Sequence, residues 1–532
     1  MKTMKTDMTE MKCLGRIFLL PVFFRRKSFC KKVFLQYCLI EEVGMKKWFF
    51  FFVLCIGFAV KANAQETIDL SGYWSYATGR ITDPSALVKM AGAKIVLPGS
   101  ILTDERGGLM PLQAKNTTLL TSSSNKTDTS LSDSNQFSGP KLASLSQSDA
   151  HYTGTAWYWK SFSVPKDWKK SRVFLCVGRP HIQTTVYVNN KLLTSSASGT
   201  LPFQYDITPY ISCGCKNQIV MKVDNEKERV ALAQNTNSLS SVQSDEWNGI
   251  GGKIELQARS KQTIYNVRVG KYDAKRHSLQ VFLQGDRGFG KDLKFLLEDS
   301  PVKMLSEKSQ SIQGEQETRE YHLTCYLDKW DEFHPNTYEL GMVIKKDTVR
   351  TVFGIRDIST KGGMYYINGR SVAFHVANAD GNIPLSSYLS ADVDAWFNLF
   401  KHYREKGVNA LCFNRYCPPE AAFTAADYLG FYLEMGSPSL STQVEKGYSE
   451  LPEHRNTLKE TKYIVDLFGN HPSFVMMVAS NDTFGKSIMK EDSWIKEMNR
   501  YDPKRIYCNN ADPQVLAWNN SIDNTVKEVR GY

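Results

Sequence analysis

An asparagine and an aspartate stand side by side at positions 481 and 482, just after the apolar run FVMMVA (Phe474–Ala479). A carboxyl group moves protons and an amide holds hydroxyls, so this pair has the composition of an acid/base site. The run before it is too short for a free-standing helix, follows Pro472 and is closed by polar residues. That is the pattern of a strand buried on both faces. In a parallel α/β sheet or barrel the carboxyl ends of the strands form the active-site mouth, where Asn481 and Asp482 would then lie. Asp and Asn also begin helices, and a helix-compatible stretch follows at 486–500, so capping is the competing reading of the same two residues.

The segment HPSFVMMVASND (471–482) resembles the acid/base segment of glycoside hydrolase family 2, the β-galactosidase, β-glucuronidase and β-mannosidase family, and is most similar to its β-galactosidase-like members. The resemblance extends through FGIRDI (353–358), YYINGR (365–370), CFNRYCPPEAAFTAADYLGFYLE (412–434) and RYDPKRIYCNN (500–510). It implies that Asp482 occupies the acid/base position, one methylene shorter than the family's glutamate. It further implies that Asn481 and Asn378 contact sugar hydroxyls. His375 and Val376 replace an Arg-Gly pair of the family, Cys412 replaces an arginine and Asn414 a histidine. Neither His nor Cys reproduces the planar fork of arginine, so hydroxyl recognition is expected to be altered. His375, Asn414 and Tyr416 complete the substrate-binding candidates, with Glu420 and Glu434 as further polar residues near strand ends. Glu420 reads first as a first-turn helix residue, where negative charge is favourable. His375 and Asp380 lack the additional ligands a metal needs, and no metal or cofactor is expected.

These residues need a scaffold. With 532 residues and 42% apolar composition the chain can bury several cores, and two to four domains are expected. The fold class expected is multidomain β plus α/β: a jelly-roll β-sandwich, an immunoglobulin-like β-sandwich and an incomplete (β/α)8 TIM barrel. From residue 66 to 258 short strand-like runs alternate with turns, an antiparallel sandwich rhythm. Its segments HYTGTAWYWK, TTVYVNNKLL, LPFQYDITPYI and WNGIGGKIEL are similar to the jelly-roll sugar-binding domain of family 2. Trp157 and Tyr187 could stack on sugars but read more simply as core. Phe203, Tyr205 and Asp206 read as scaffold, since an Asp beside a turn can satisfy backbone donors. Residues 116–148, rich in Ser, Thr, Asn and Asp, form an excursion within this part. Residues 259–352 are strand-rich and short enough for one immunoglobulin-like unit.

From 353 to 532 the pattern changes to alternating strands and helices. Strands are expected at 372–375, 409–413, 431–434, 474–479 and 505–508, and helices at 391–406, 419–428 and 459–468, with Pro419 in a first turn. This stretch is shorter than the roughly 250 residues of a full eight-stranded barrel. A retaining glycosidase needs two carboxyl groups about 5 to 5.5 Å apart, and in the family the nucleophilic glutamate comes from a later strand. Asp523 and Glu528 follow no clear apolar strand and are poor substitutes. The expectation is therefore a family 2 glycosidase relative that is inactive on its own. The alternatives are a non-catalytic carbohydrate-binding module and an unstable gene product. The partner expected is a carbohydrate, a β-glycoside, oligosaccharide or glycan. An incomplete sheet would also favour self-association or a complementing chain.

The net charge of +11 does not point to nucleic acid, because residues 1–47 hold eleven Lys or Arg against four Asp or Glu, and the remainder is nearly neutral for its size. Met45-Lys-Lys, the apolar run 48–60 and Ala62-Asn63-Ala64 before Gln65 have the three regions of a secretory signal. The apolar run is too short to span a membrane comfortably, so no stable insertion is expected after cleavage, and the protein is expected in the periplasm or outside the cell. Residues 1–44 read as an extension preceding the physiological start. Four of eleven cysteines lie in the leader, and the odd remainder is no disulfide framework. Cys213-Gly-Cys215 reads as a structural turn in preference to a metal or disulfide site.

Overall fold

The computed structural model describes residues 66–90, 92–103, 109–113, 152, 154–181, 183–197, 201–225, 248–344, 347–378, 392–413, 417–437, 452–479 and 488–509. The signal and leader, the excursion at 116–148, and Asp380, Asp523 and Glu528 lie outside them.

The first part is built mainly from two antiparallel sheets, with a third, four-stranded one of Leu109–Gln113, Gly99–Thr103, Asn248–Ile250 and Pro180–His181 beside them. The six-stranded one runs, in spatial order, Lys191–Ala197, Gln183–Val188, Lys216–Asp224, Thr155–Ser163, Gly72–Thr78 and Ala93–Leu97. The four-stranded one runs Glu66–Asp69, Ile254–Arg259, Arg172–Val177 and Phe203–Asp206. Strict alternation makes this possible: along Gln183–Val188 every second residue is buried. Trp74, Tyr158, Val186 and Met221 from one sheet meet Leu175 and Leu256 from the other in a shared core. Trp157 is buried too, on the opposite face of the six-stranded sheet with Leu87, Trp159 and Val220, and Tyr187 packs there at a ring distance of 6.4 Å. The aromatic pair is core. Asn189 and Asn190, with φ of 48° and 64°, make the tight hairpin turn that Asn tolerates best. Asp206 accepts from the Thr208 amide at 3.0 Å and from Arg172 at 2.6 Å, a scaffold role. Cys213 and Cys215 are both free, with Gly214 turning the chain between them.

Two four-stranded antiparallel sheets follow. Ile264–Asp273, Ser278–Asp286, Gln316–Thr324 and Met304–Gln313 form one, and Ser300–Val302, Lys294–Leu297, Tyr338–Ile344 and Asp347–Phe353 the other. Val269, Leu283 and Tyr321 pack against Phe295, Leu340 and Phe353 between them.

After a small antiparallel sheet (Ile358–Lys361, Met364–Ile367, Arg370–Val372), five strands run parallel in chain order: Val376–Asn378, Ala410–Phe413, Tyr432–Gly436, Phe474–Ala479 and Ile506–Asn509. The helices Val393–Glu405, Glu420–Leu429, Pro452–Phe468 and Ile488–Tyr501 alternate with them. One sheet face packs on the helices through Leu411, Phe413, Leu433, Met435 and Met477, with Trp396 and Trp494 among the helix residues. The other face carries Ala410, Tyr432, Met476 and Ile506, closed by Trp330 and Phe374, whose rings meet Tyr432 edge-on at 5.6 and 5.0 Å. All six residues of Phe474–Ala479 are buried, as a strand covered on both faces requires. Among the described residues no helix is long and apolar enough to cross a membrane.

Three boundaries differ from expectation. The first parallel strand is Val376–Asn378 and not 372–375: residues up to Val372 are taken by the preceding antiparallel hairpin, where Tyr365 pairs with Val372. Burial of Val372 and Phe374 gives the alternation of a strand, but the ladder starts two residues later. Pro419 is the N-cap of its helix, with ψ of 158°, and not part of its first turn; that turn begins at Glu420. The helix before Phe474 starts at Pro452, well ahead of residue 459.

Main-chain contacts fasten the parallel unit to the second pair of sheets. Asn470 Nδ2 donates to Val267 O at 2.7 Å, and its Oδ1 accepts from Val269 N at 2.8 Å. Lys504 Nζ donates to Val269 O across the same seam, and within the parallel unit the half-buried Arg356 guanidinium donates to the carbonyls of Pro472 and Lys504 at 2.6 Å each, and to that of Phe474.

Candidate functional site

Parallel register decides which side chains can meet at the carboxyl ends. Asn378 lies beside Cys412, Cys412 beside Glu434, Glu434 beside Met476 and Met476 beside Ile506, one row across all five strands. Glu434 falls between Leu433 and Met435, which face the helices, so its own side chain lies on the opposite face, where Cys412 also packs. There Cys412 Sγ donates to Glu434 Oε1 at 3.2 Å. Glu434 is only 4% exposed, and burial pushes its carboxyl up to about 7 although the Cys412 hydrogen bond works the other way. Its Oε2 has no hydrogen-bond partner among the described residues.

The sequence candidates distribute unevenly over this frame. Asn378 ends its strand and takes a position in the row. His375 precedes that strand, and its carbonyl accepts from Asn409 N at 3.0 Å and Ala410 N at 3.2 Å, where the neighbouring strand begins. It is therefore at the amino end of the sheet, three residues short of the mouth, because the first strand starts later than the sequence pattern implies. Asn414, Tyr416, Asn481 and Asp482 lie outside the described residues; the strands that lead to them end at Phe413 and Ala479. Glu420 sits exposed in the first turn of its helix, a helix-end role. The Cys412–Glu434 contact was not foreseen. Its only signal was an acid inside the apolar run FYLEM, since the pairing spans two strands and is set by register.

A second buried polar group belongs to the scaffold. Asp427 Oδ2 meets His471 Nδ1 at 2.6 Å and its Oδ1 accepts from Ser473 N at 3.0 Å, tying the Glu420–Leu429 helix to the amino end of the Phe474–Ala479 strand. Burial disfavours the imidazolium, but Asp427 outweighs it and holds His471 above its ordinary pKa. This pair lies at the end of the sheet away from Asn378.

Residues 143–251, within the first pair of sheets, match the family described as glycosyl hydrolases family 2, sugar binding domain. Over those residues the chain carries a family 2 sugar-binding domain. The chain is 23% identical over 387 residues to a β-glucuronidase of Formosa agariphila, an alignment covering 67% of the chain and 38% of that protein. It is 25% identical over 371 residues to the β-glucuronidase of Canis lupus familiaris, covering 62% and 55%. The chain thus spans 38% to 55% of the length of these relatives. The fold is similar to that of a Dictyoglomus thermophilum β-D-glucuronidase, with a TM-score of 0.58 at 19% identity over 84% of this chain and 72% of that one. It is similar also to a Bacteroides uniformis β-glucuronidase, with a TM-score of 0.63 at 16% identity over 87% and 54%. These relatives are β-glucuronidases and not specifically β-galactosidases.

Proposed function

We propose that this chain recognises β-glucuronides or closely related β-glycosides. In this reading the first pair of sheets, residues 66–258, is a jelly-roll sugar-binding domain, residues 259–352 are an immunoglobulin-like spacer, and residues 353–532 form part of a (β/α)8 barrel whose strand ends hold the sugar. Asn378 and Asn481 contact hydroxyls, Asn414 and Tyr416 line the approach, and Asp482 stands in the acid/base position. His375, at the amino end of the sheet, contributes only indirectly. The observation that carries the proposal is a family 2 sugar-binding match followed by a parallel sheet whose first strand ends at Asn378. The Met45-to-Ala64 region would direct export, with the mature chain starting at Gln65 in the periplasm or outside the cell.

Hydrolysis by the 532-residue polypeptide is proposed to be negligible. The shorter side chain of Asp482 draws its carboxyl back from the leaving oxygen, and a misplacement of about 1 Å costs on the order of a hundredfold in rate. The test assays the purified polypeptide and Asp482→Asn on aryl β-glucuronides, β-galactosides and β-mannosides, and measures binding of the same sugars by calorimetry. Binding that favours the glucuronide, without turnover, is the expected result. Robust turnover abolished by Asp482→Asn would overturn the inactive reading, and absence of binding would overturn the recognition reading.

A further inference from the structure

The other buried acids of the parallel unit are consumed by scaffold contacts: Asp427 by His471 and Ser473, and Asp502 by Arg505 and the Tyr507 hydroxyl. Glu434 is different. Its Oε1 has Cys412, while its Oε2, equally removed from solvent, has no partner among the described residues. Leaving a carboxylate oxygen buried and unmatched destabilises a fold, and replacing such a group by a neutral one of the same shape is often stabilising. Scaffold function does not account for keeping it there. Its position does: the row through Cys412 and Glu434 ends at Asn378, the last residue of the first parallel strand, and Cys412 and Glu434 lie one and two residues from the carboxyl ends of theirs, the side of such a sheet on which ligands bind.

We propose that Glu434 is a specificity-determining, sugar-contacting residue, its Oε1 held by the Cys412 thiol so that Oε2 accepts a hydrogen bond from a hydroxyl of the bound β-pyranoside. The inference rests on the β-glycoside reading above and adds a residue to it. The chemistry matches on both sides: a pyranoside presents hydroxyl donors in fixed directions, and a carboxyl oxygen lacking a donor is completed by one of them. A bond from a neutral hydroxyl to a carboxylate is stronger than one to an amide, so the residue would discriminate between glycosides that carry that hydroxyl and deoxy analogues that lack it. Cys412 is a positioning residue in this arrangement, acting through Glu434.

The experiment uses the full polypeptide and aryl β-D-thioglycosides, which resist hydrolysis, so that binding is read apart from turnover. The wild type, Glu434→Gln and Cys412→Ala are titrated calorimetrically with the thioglucuronide and its 2-, 3- and 4-deoxy analogues, and their thermal midpoints are recorded. Glu434→Gln is expected to weaken the parent sugar about tenfold, to flatten the difference between the parent and one deoxy analogue, and to leave the melting midpoint unchanged or higher. Cys412→Ala is expected to weaken the same discrimination about threefold. Unchanged affinity and unchanged deoxy discrimination in Glu434→Gln would overturn the proposal, most plainly if the midpoint fell. Should Glu434→Gln fail to fold, intact discrimination in Cys412→Ala would overturn it and lost discrimination would support it. A wild type that binds none of the sugars removes both this inference and the β-glycoside reading, whereas a wild type that binds while Glu434→Gln matches it removes the inference alone.

Discussion

Replacing Asn470 by alanine removes one side chain and leaves several main-chain groups without partners. Its amide serves Val267 O and Val269 N, both on the edge strand Ile264–Asp273, and Thr351 Oγ1 at 3.0 Å. A buried donor or acceptor left unmade costs about 1–3 kcal/mol, so Asn470→Ala is expected to lower the unfolding free energy by roughly 2–4 kcal/mol, read as a shift of the urea midpoint. Asn470→Asp should be at least as damaging, because it sets a carboxylate oxygen against the Val267 carbonyl. Gly430 makes a sharper case. It ends the Glu420–Leu429 helix at φ of 73°, and a Cβ there would lie 2.6 Å from Glu332 O. Left-handed geometry alone costs a non-glycine residue about 1 kcal/mol, and the clash with backbone adds to it. Gly430→Ala should therefore melt well below wild type in a calorimetric scan. The clash was not legible in the sequence, because Glu332 comes from a distant loop.

Between elements, the Asp427–His471 pair is a pH-sensitive fastening of helix to strand. The unfolded imidazole titrates near ~6.5, and Asp427 raises the folded value above that. Its stabilisation is whole below the unfolded pKa and is lost as pH rises through the raised folded one. The difference in unfolding free energy between wild type and His471→Gln should thus narrow as pH rises above the unfolded value and through the raised folded one, and a difference that stays constant as pH rises would refute the linkage. At this scale the sequence was informative where burial is two-sided. Phe474–Ala479 was read to the residue, since six apolar residues between Pro472 and polar neighbours admit one solution. It misled at 372–375, where Val372 and Phe374 alternate inward as a strand would while the backbone is still leaving a hairpin. The Cys412–Glu434 contact was beyond reach, because parallel register between strands separated by a helix is fixed by packing and not by local pattern.

Across the whole molecule, the parts are joined chiefly through backbone. Asn470 reads the peptide groups of Val267 and Val269, Lys504 Nζ donates to Val269 O, Arg268 donates to Tyr501 O, and Tyr463 donates to Pro202 O at 3.1 Å. Gly354 allows close approach at the same seam, where a Cβ would lie 2.4 Å from Pro472 Cγ. A seam that recognises peptide groups is indifferent to which side chains its neighbour carries. Such a joint lets the sheets on one side drift in sequence, or be exchanged for those of a distant relative, without renegotiating the contact. A chimaera in which residues 264–353 come from the Dictyoglomus thermophilum protein should keep a single cooperative melting transition as long as Asn470 and Lys504 are retained, and should split into two transitions when both are replaced by alanine.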